Sequence, residues 1–179
     1  MHWVRGAVSR VDARGRLAER VAEHLRRSLP EDHIVLSPYA PRDRAERIPI
    51  VVVGRLGLFV VEPRDDEGDL VCYQDHWYRR VGPGVAHALS DPPSLRARRN
   101  AARVRSDLGT GGFINVPIEA VVLLTRGRPD DVRSSCVPVV AGVDAIVRYM
   151  LRGIPEAPHT ERTRALAGAL ATNIKLSTV

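Results

Sequence analysis

Lysine is nearly missing from this sequence: Lys175 is the only one among 27 basic residues, and the others are arginine. Aromatic residues make up only 4%, so Val, Leu, Ile and Ala must fill the core. Two cysteines occur, Cys72 and Cys136, without the CxxC spacing of a metal knuckle or a redox pair. Both lie in apolar, strand-like runs, and the expectation is reduced, buried thiols in a cytoplasmic protein. The six histidines show no HxH or HExxH spacing, which argues against a zinc site. The opening, MHWVRGAVSR, has no apolar core of a signal peptide. The longest apolar stretch, IPIVVVGRLGLFVVEP, is interrupted by Gly54, Arg55 and Gly57 and is too broken to span a bilayer, so no membrane partner is expected. Gly109-Thr110-Gly111-Gly112 lacks the Lys-Ser/Thr of a phosphate loop and reads as a helix end. Ser134 and Ser135 sit in no nucleophile-elbow context.

What remains is ordinary for a globular chain, with 44% hydrophobic and 27% charged residues, and 179 residues fit one domain. The net charge is +6. Arginine grips phosphate through a planar fork, so a polyanion is one partner this charge allows. A coding bias toward Arg, Ala, Gly, Pro and Val would leave the same composition. Net charge speaks to association and not to fold.

Hydrophobic spacing orders the elements. Leu17, Val21, Leu25 and Leu29 recur every four residues, predicting a helix over 10–29 that Pro30 stops. A short strand is expected over 33–37, then a polar loop to residue 47. Strands 48–53 and 58–62 flank a tight turn at Arg55, Leu56 and Gly57. LVCYQ and HWYRRV read as a hairpin turning near Asp75, and residues 82–93 as a loop. A second helix is expected over 94–108, with Ser94 as N-cap and Gly109 as its stop. IEAVVLLT reads as a buried strand and CVPVV as an edge strand, since Pro138 cannot donate to a ladder. Two helices, at about 143–152 and 160–172, close the chain. The order predicts an α/β fold with a central mixed sheet.

Side chains alternate along a strand, so Leu58, Val60, Glu62 and Arg64 share one face. An acid and a base so placed suit metal-assisted phosphodiester hydrolysis: the carboxylate holds a divalent metal and the basic side chain steadies the charge on the phosphate. An ion pair at a strand end has the same spelling. On the second helix Ala97, Ala101, Val104 and Leu108 form the buried stripe. Arg96, Arg99 and Arg103 lie opposite, with Arg98 and Arg105 to one side. Such a row tracks phosphates or simply faces water.

The unit "VVVGRLGLFVVEPR" resembles the strand–Gly–strand core of the nuclease-related (NERD) domain, a branch of the PD-(D/E)xK nuclease-like fold. Trp77 in the hairpin and Asp91-Pro92-Pro93 before the second helix extend the resemblance over about residues 15–125, leaving 126–179 as a C-terminal strand and helices. The resemblance implies a restriction-endonuclease-like sheet flanked by helices, and a metal site for Mg²⁺ or Mn²⁺. Glu62 matches the retained acid of the family's E-x-K motif and is the candidate metal ligand. Arg64 stands for the lysine, and Glu19 matches a glutamate on the first helix, although the flank of an amphipathic helix also carries solvated glutamates. Leu95 stands near the place of a glutamine. Pro49 replaces the Asp of the family's E-I-D motif, and proline supplies no ligand. Arginine stays protonated and cannot act as a base.

These departures imply a degenerate, non-catalytic or weakly catalytic site with no resident cofactor, on a domain that binds DNA or RNA non-specifically through Arg96, Arg99 and Arg103. Two other readings stay open. One is a protein-interaction module on the same fold. The other is an active metal-dependent nuclease in which Asp43 or Glu46 replaces the missing carboxylate.

Overall fold

The computed structural model of the protein describes residues 3–43, 46–152 and 160–176, with side chains for 13–43, 46–152 and 161–171. Helix α1 (Trp3–Ser28) buries the predicted stripe of Leu17, Val21, Leu25 and Leu29 with Ala18 and Ala22. It starts upstream of residue 10, because no proline interrupts the segment from Trp3 and each added helical residue gains a backbone hydrogen bond.

Strand β1 (Ile34–Leu36) leads into β2 (Ile50–Gly54) and β3 (Gly57–Arg64), each antiparallel to the next. The β2–β3 register runs from Ile50↔Val61 to Gly54↔Gly57. Gly57 has φ +145°, and a Cβ there would lie 2.2 Å from the Pro117 carbonyl oxygen, so only glycine fits this turn. β3 continues past Glu62 to Arg64 because its other edge is covered by a parallel neighbour, β7 (Ile118–Leu124).

β4 (Asp69–Tyr73) and β5 (His76–Gly82) form the expected hairpin. The expected loop over 82–93 contains a strand, β6 (Val85–Ala88), paired with β5. All four of its residues are exposed, so it lacks the alternation by which a strand is read from sequence. β8 (Arg128–Asp131) is likewise an unforeseen strand, polar and lying along β4, so the C-terminal part holds two strands where one was expected. The other is the edge strand β9 (Val139–Ala141), which pairs with β7. Helices α3 (Val143–Leu151) and α4 (Thr160–Leu176) follow.

Helix α2 (Pro93–Thr110) buries Ala97, Ala101, Val104 and Leu108 as expected. Its ends differ from expectation. Ser94 lies inside the helix and accepts a 2.9 Å hydrogen bond from Trp77 Nε1, while Pro92 occupies the cap without a side-chain bond. Pro93 at the first helical position needs no donor, which makes a hydroxyl cap dispensable. Gly109 stays helical, and Gly111 ends the helix by donating to the Asp107 and Leu108 carbonyls.

The strands make two sheets. The central one is five-stranded and mixed, in the order β1-β2-β3-β7-β9, and a second has the order β6-β5-β4-β8. Alternation divides the core. Ile50, Val52, Phe59, Val61, Val121 and Leu123 face α1 and α3. Val51, Val53, Leu58, Val60, Val122 and Leu124 face α2, α4 and the inner side of the second sheet, where Leu70, Cys72 and Trp77 pack. The fold is α/β with a mixed sheet between helices. No described helix is long and apolar enough to cross a membrane.

Candidate functional site

β3 carries Leu58, Val60 and Glu62 on its α2 face, so after two apolar residues the same row delivers a carboxylate into the protein, 1% exposed. One step beyond the Ile50↔Val61 pair, the antiparallel register sets Pro49 opposite Glu62. α2 enters just here because Pro92 and Pro93 turn the chain into it, and its first turn presents Arg96. Arg96 Nε lies 3.2 Å from Glu62 Oε1. The contact is not an aligned hydrogen bond: Arg96 Nε and Glu62 Oε2 are both buried without a hydrogen-bond partner.

Arg96 reaches further. Its Nη1 donates to Asp91 Oδ2 at 3.1 Å, and its Nη2 to Glu46 on the loop before β2. Asp91 also meets Arg14 of α1 at 2.9 Å, and its main-chain carbonyl accepts from Arg64 Nη1 at 3.1 Å. Arg64 shares the face of Glu62 but turns away to Asp66, 2.7 Å from Nε. The result is a web in which Asp91 joins α1, β3 and α2.

The electrostatics follow from burial. Glu62 is pushed up to about 7, because desolvation outweighs the attraction of Arg96, Arg64 and Arg14, and Asp91 adds repulsion. Burial also pushes Asp91 up, but the guanidiniums of Arg96, Arg14 and Arg64 outweigh it and hold its carboxyl below the usual range. The thiols are poor nucleophiles: burial pushes Cys72 up to about 11 and raises Cys136 as well. Cys136 is exposed, contrary to expectation, because Pro138 and the turn before it hold it off the sheet.

The other predicted residues scatter. Glu19 is exposed at the rim of a cleft of about 350 Å³ whose lining includes Glu62, Pro49 and Arg96. Asp43 makes a paired contact with Arg103, both oxygens at 2.8 Å, on a later turn of α2. Of the arginine row, Arg96 and Arg103 are 11% and 16% exposed and engaged with acids. Arg99 is exposed and makes no ion pair among the described residues. Leu95 is 43% exposed. Sequence reasoning missed Arg14 and Asp91. Arg14 is legible as the upstream continuation of the Ala18 and Ala22 spacing, and Asp91 as the acid at the entry of α2.

Residues 13–125, well over half of the chain, match the family model of the nuclease-related domain, NERD. The chain belongs to the NERD family. With the family comes the PD-(D/E)xK nuclease-like superfamily, and the mixed sheet between helices agrees with it. No curated protein and no solved structure matches the chain.

A NERD site of the kind the resemblance implies would hold Mg²⁺ or Mn²⁺, and around Glu62 the described residues bring few oxygen ligands together. Such a cation takes oxygen ligands in near-octahedral geometry, usually one or two carboxylates plus substrate phosphate. Here a guanidinium abuts Glu62, and Pro49 stands opposite with no side-chain donor. Glu46 is drawn to the same arginine. Among the described residues no group of three or more His, Cys, Asp or Glu is placed to hold a metal.

Proposed function

We propose that this NERD domain binds nucleic acid and does not cut it. The observation that carries the reading is the guanidinium of Arg96 lying against Glu62, the one buried acid of the motif. A cation fixed 3.2 Å from the carboxylate repels a divalent metal there, and the neighbouring strand has no second acid to offset that repulsion. What an arginine-rich nuclease-related domain keeps after losing the metal is phosphate affinity. A net charge of +6 and exposed Arg99 support this, and Arg96 and Arg103 join if phosphate displaces their carboxylates. Non-specific binding of this kind has a dissociation constant of roughly 10⁻⁴ to 10⁻⁶ M at physiological salt. The reading carries a cytoplasmic location, where nucleic acid meets free thiols such as Cys72 and Cys136.

The test is plasmid cleavage across a Mg²⁺ and Mn²⁺ titration, with parent, Glu62→Ala and Pro49→Asp. The parent is expected to leave the plasmid intact while shifting it at low salt. Metal-dependent cutting by the parent, abolished in Glu62→Ala, sinks the reading and points to Glu46 as the replacement acid. Arg96→Gln, Arg99→Gln and Arg103→Gln together should lower affinity and flatten its salt dependence.

A second reading, a protein-interaction module, is favoured by one observation. Tyr73, Val81 and Val85 are 63%, 53% and 53% exposed on the second sheet, whose edge β6 has no further strand among the described residues. Failure of the parent to bind any nucleic acid at low salt selects that reading.

A further inference from the structure

The cleft beside Glu62 has the form of a small-ligand site. Its volume, about 350 Å³, falls in the range of roughly 300–1,000 Å³ typical of such sites. Ala18, Pro38, Pro49 and Pro63 give it flat apolar walls. Glu62 and Arg96 also line it, each with one buried polar atom that lacks a hydrogen-bond partner: the acceptor Glu62 Oε2 and the donor Arg96 Nε. Buried groups of this kind are nearly always satisfied, so an acceptor with no donor, beside an N–H that touches Glu62 Oε1 at 3.2 Å without hydrogen-bond alignment, points to a missing occupant. The occupant must be flat enough for proline walls and must carry a donor beside an acceptor along one edge.

We propose that the cleft receives an unpaired nucleobase, its exocyclic or ring N–H donating to Glu62 Oε2 and the adjacent ring nitrogen or carbonyl accepting from Arg96 Nε. The edge that does this is the one used in base pairing, so the base must come from a single strand or be turned out of a duplex. Stacking against an apolar wall is indifferent to base identity, which suits a binder without sequence preference. At the mouth, Arg47 is exposed and makes no ion pair among the described residues, placed to meet the phosphate of the bound nucleotide. The site vacated by metal chemistry thus becomes a base-holding pocket. The inference rests on the nucleic-acid reading above and adds the strand state that it selects.

The experiment is fluorescence anisotropy at low salt with labelled 12-mers: an intact single strand, the same strand made abasic, and the duplex, in DNA and RNA series. The intact strand is expected to bind about tenfold tighter than the abasic strand, about 1.4 kcal/mol, in at least one series, and that series names the polymer. Two substitutions locate the effect. Gly15 lines the cleft on exposed helix, and a Cβ there meets nothing within 4 Å, so Gly15→Leu narrows the cleft without disturbing the fold. Gly15→Leu and Glu62→Met should each bring the intact strand down to the abasic level. Equal affinity of parent for intact and abasic strands overturns the proposal, as a water bridging the two buried atoms would predict. A base preference that survives both substitutions overturns it too. In both cases phosphate-driven binding persists and the nucleic-acid reading stands, whereas no binding to any of the polymers removes that reading first.

Discussion

Each end of the β2–β3 hairpin holds a buried carboxylate beside an arginine, and the two carboxylates shift in opposite directions. At the turn, Asp32 accepts from His33 Nδ1 at 2.9 Å through one oxygen and from Arg55 Nε through the other. Burial pushes its pKa up, but the hydrogen bonds of Arg55 and His33 outweigh that, and Asp32 ends below its ordinary value. At the open end, Glu62 has Arg96 close by but no aligned donor, and one oxygen stands alone. Burial wins, and Glu62 rises to about 7. A nearby opposite charge does not by itself keep a buried acid ionised. Directed donors on each oxygen do.

The sharpest way to break this comparison is at the closed end. Asp32→Ala removes the acceptor that His33 Nδ1 and Arg55 Nε share in a largely buried place, and removing one partner of a buried pair costs about 3–5 kcal/mol. Urea denaturation at pH 7 measures it. A loss below about 1 kcal/mol would mean that the two ends are not different in kind.

Glu62→Gln probes the open end through pH. The folded-state pKa of Glu62 is raised, so its favourable contribution is complete below the unfolded value, near 4.5, and is lost as pH rises toward 7. The span corresponds to about 3 kcal/mol. Parent stability should therefore decline from pH 5 to 8, and Glu62→Gln should remove that decline and unfold at higher urea at pH 8. Asp32 and Asp91, with lowered values, act the other way and cost stability only in acid. Parallel profiles for parent and variant between pH 5 and 8 would show that Glu62 is ionised throughout.

Two glycines set the hairpin turn against the helix beside the cleft. Gly57→Ala at the turn adds backbone strain of about 1–3 kcal/mol and a clash with the Pro117 carbonyl. Gly15→Ala on α1 beside the cleft meets nothing and should stabilise by about 0.5–1 kcal/mol. Thermal melts of the pair are expected to move in opposite directions. A shared direction would show that the hairpin end is slacker than its geometry says.

Much of the fold was legible because periodicity is local. The α1 stripe, the β2–β3 turn, the β4–β5 hairpin and β7 each repeat at a spacing that a short window reveals. β6 and β8 were not legible. Both are edge strands with exposed side chains, held by backbone pairing that leaves no mark on residue type. The site was legible in part. Strand alternation put Glu62 and Arg64 on one face, yet their pairing was not visible: Arg64 turns to Asp66, and Arg96 comes to Glu62 from α2. The expected arginine row also divided, because Asp43 and Glu46 sit on a loop that folds back over α2 and captures Arg103 and Arg96.

By itself the sequence determined the α/β order, which faces are apolar, the glycine turn, the arginine excess and the absence of an acid at position 49. Those are properties of single residues and short spacings. Only the tertiary structure decided that Pro49 stands across from Glu62, that Arg96 closes on that carboxylate, and that Asp91 ties Arg14, Arg64 and Arg96 together. An arginine side chain is long and reaches many partners equally well in an unfolded chain. Which acid it meets is set by the register of β2 on β3 and by the entry of α2, where packing of apolar side chains fixes the backbone and electrostatics takes the partners it finds there.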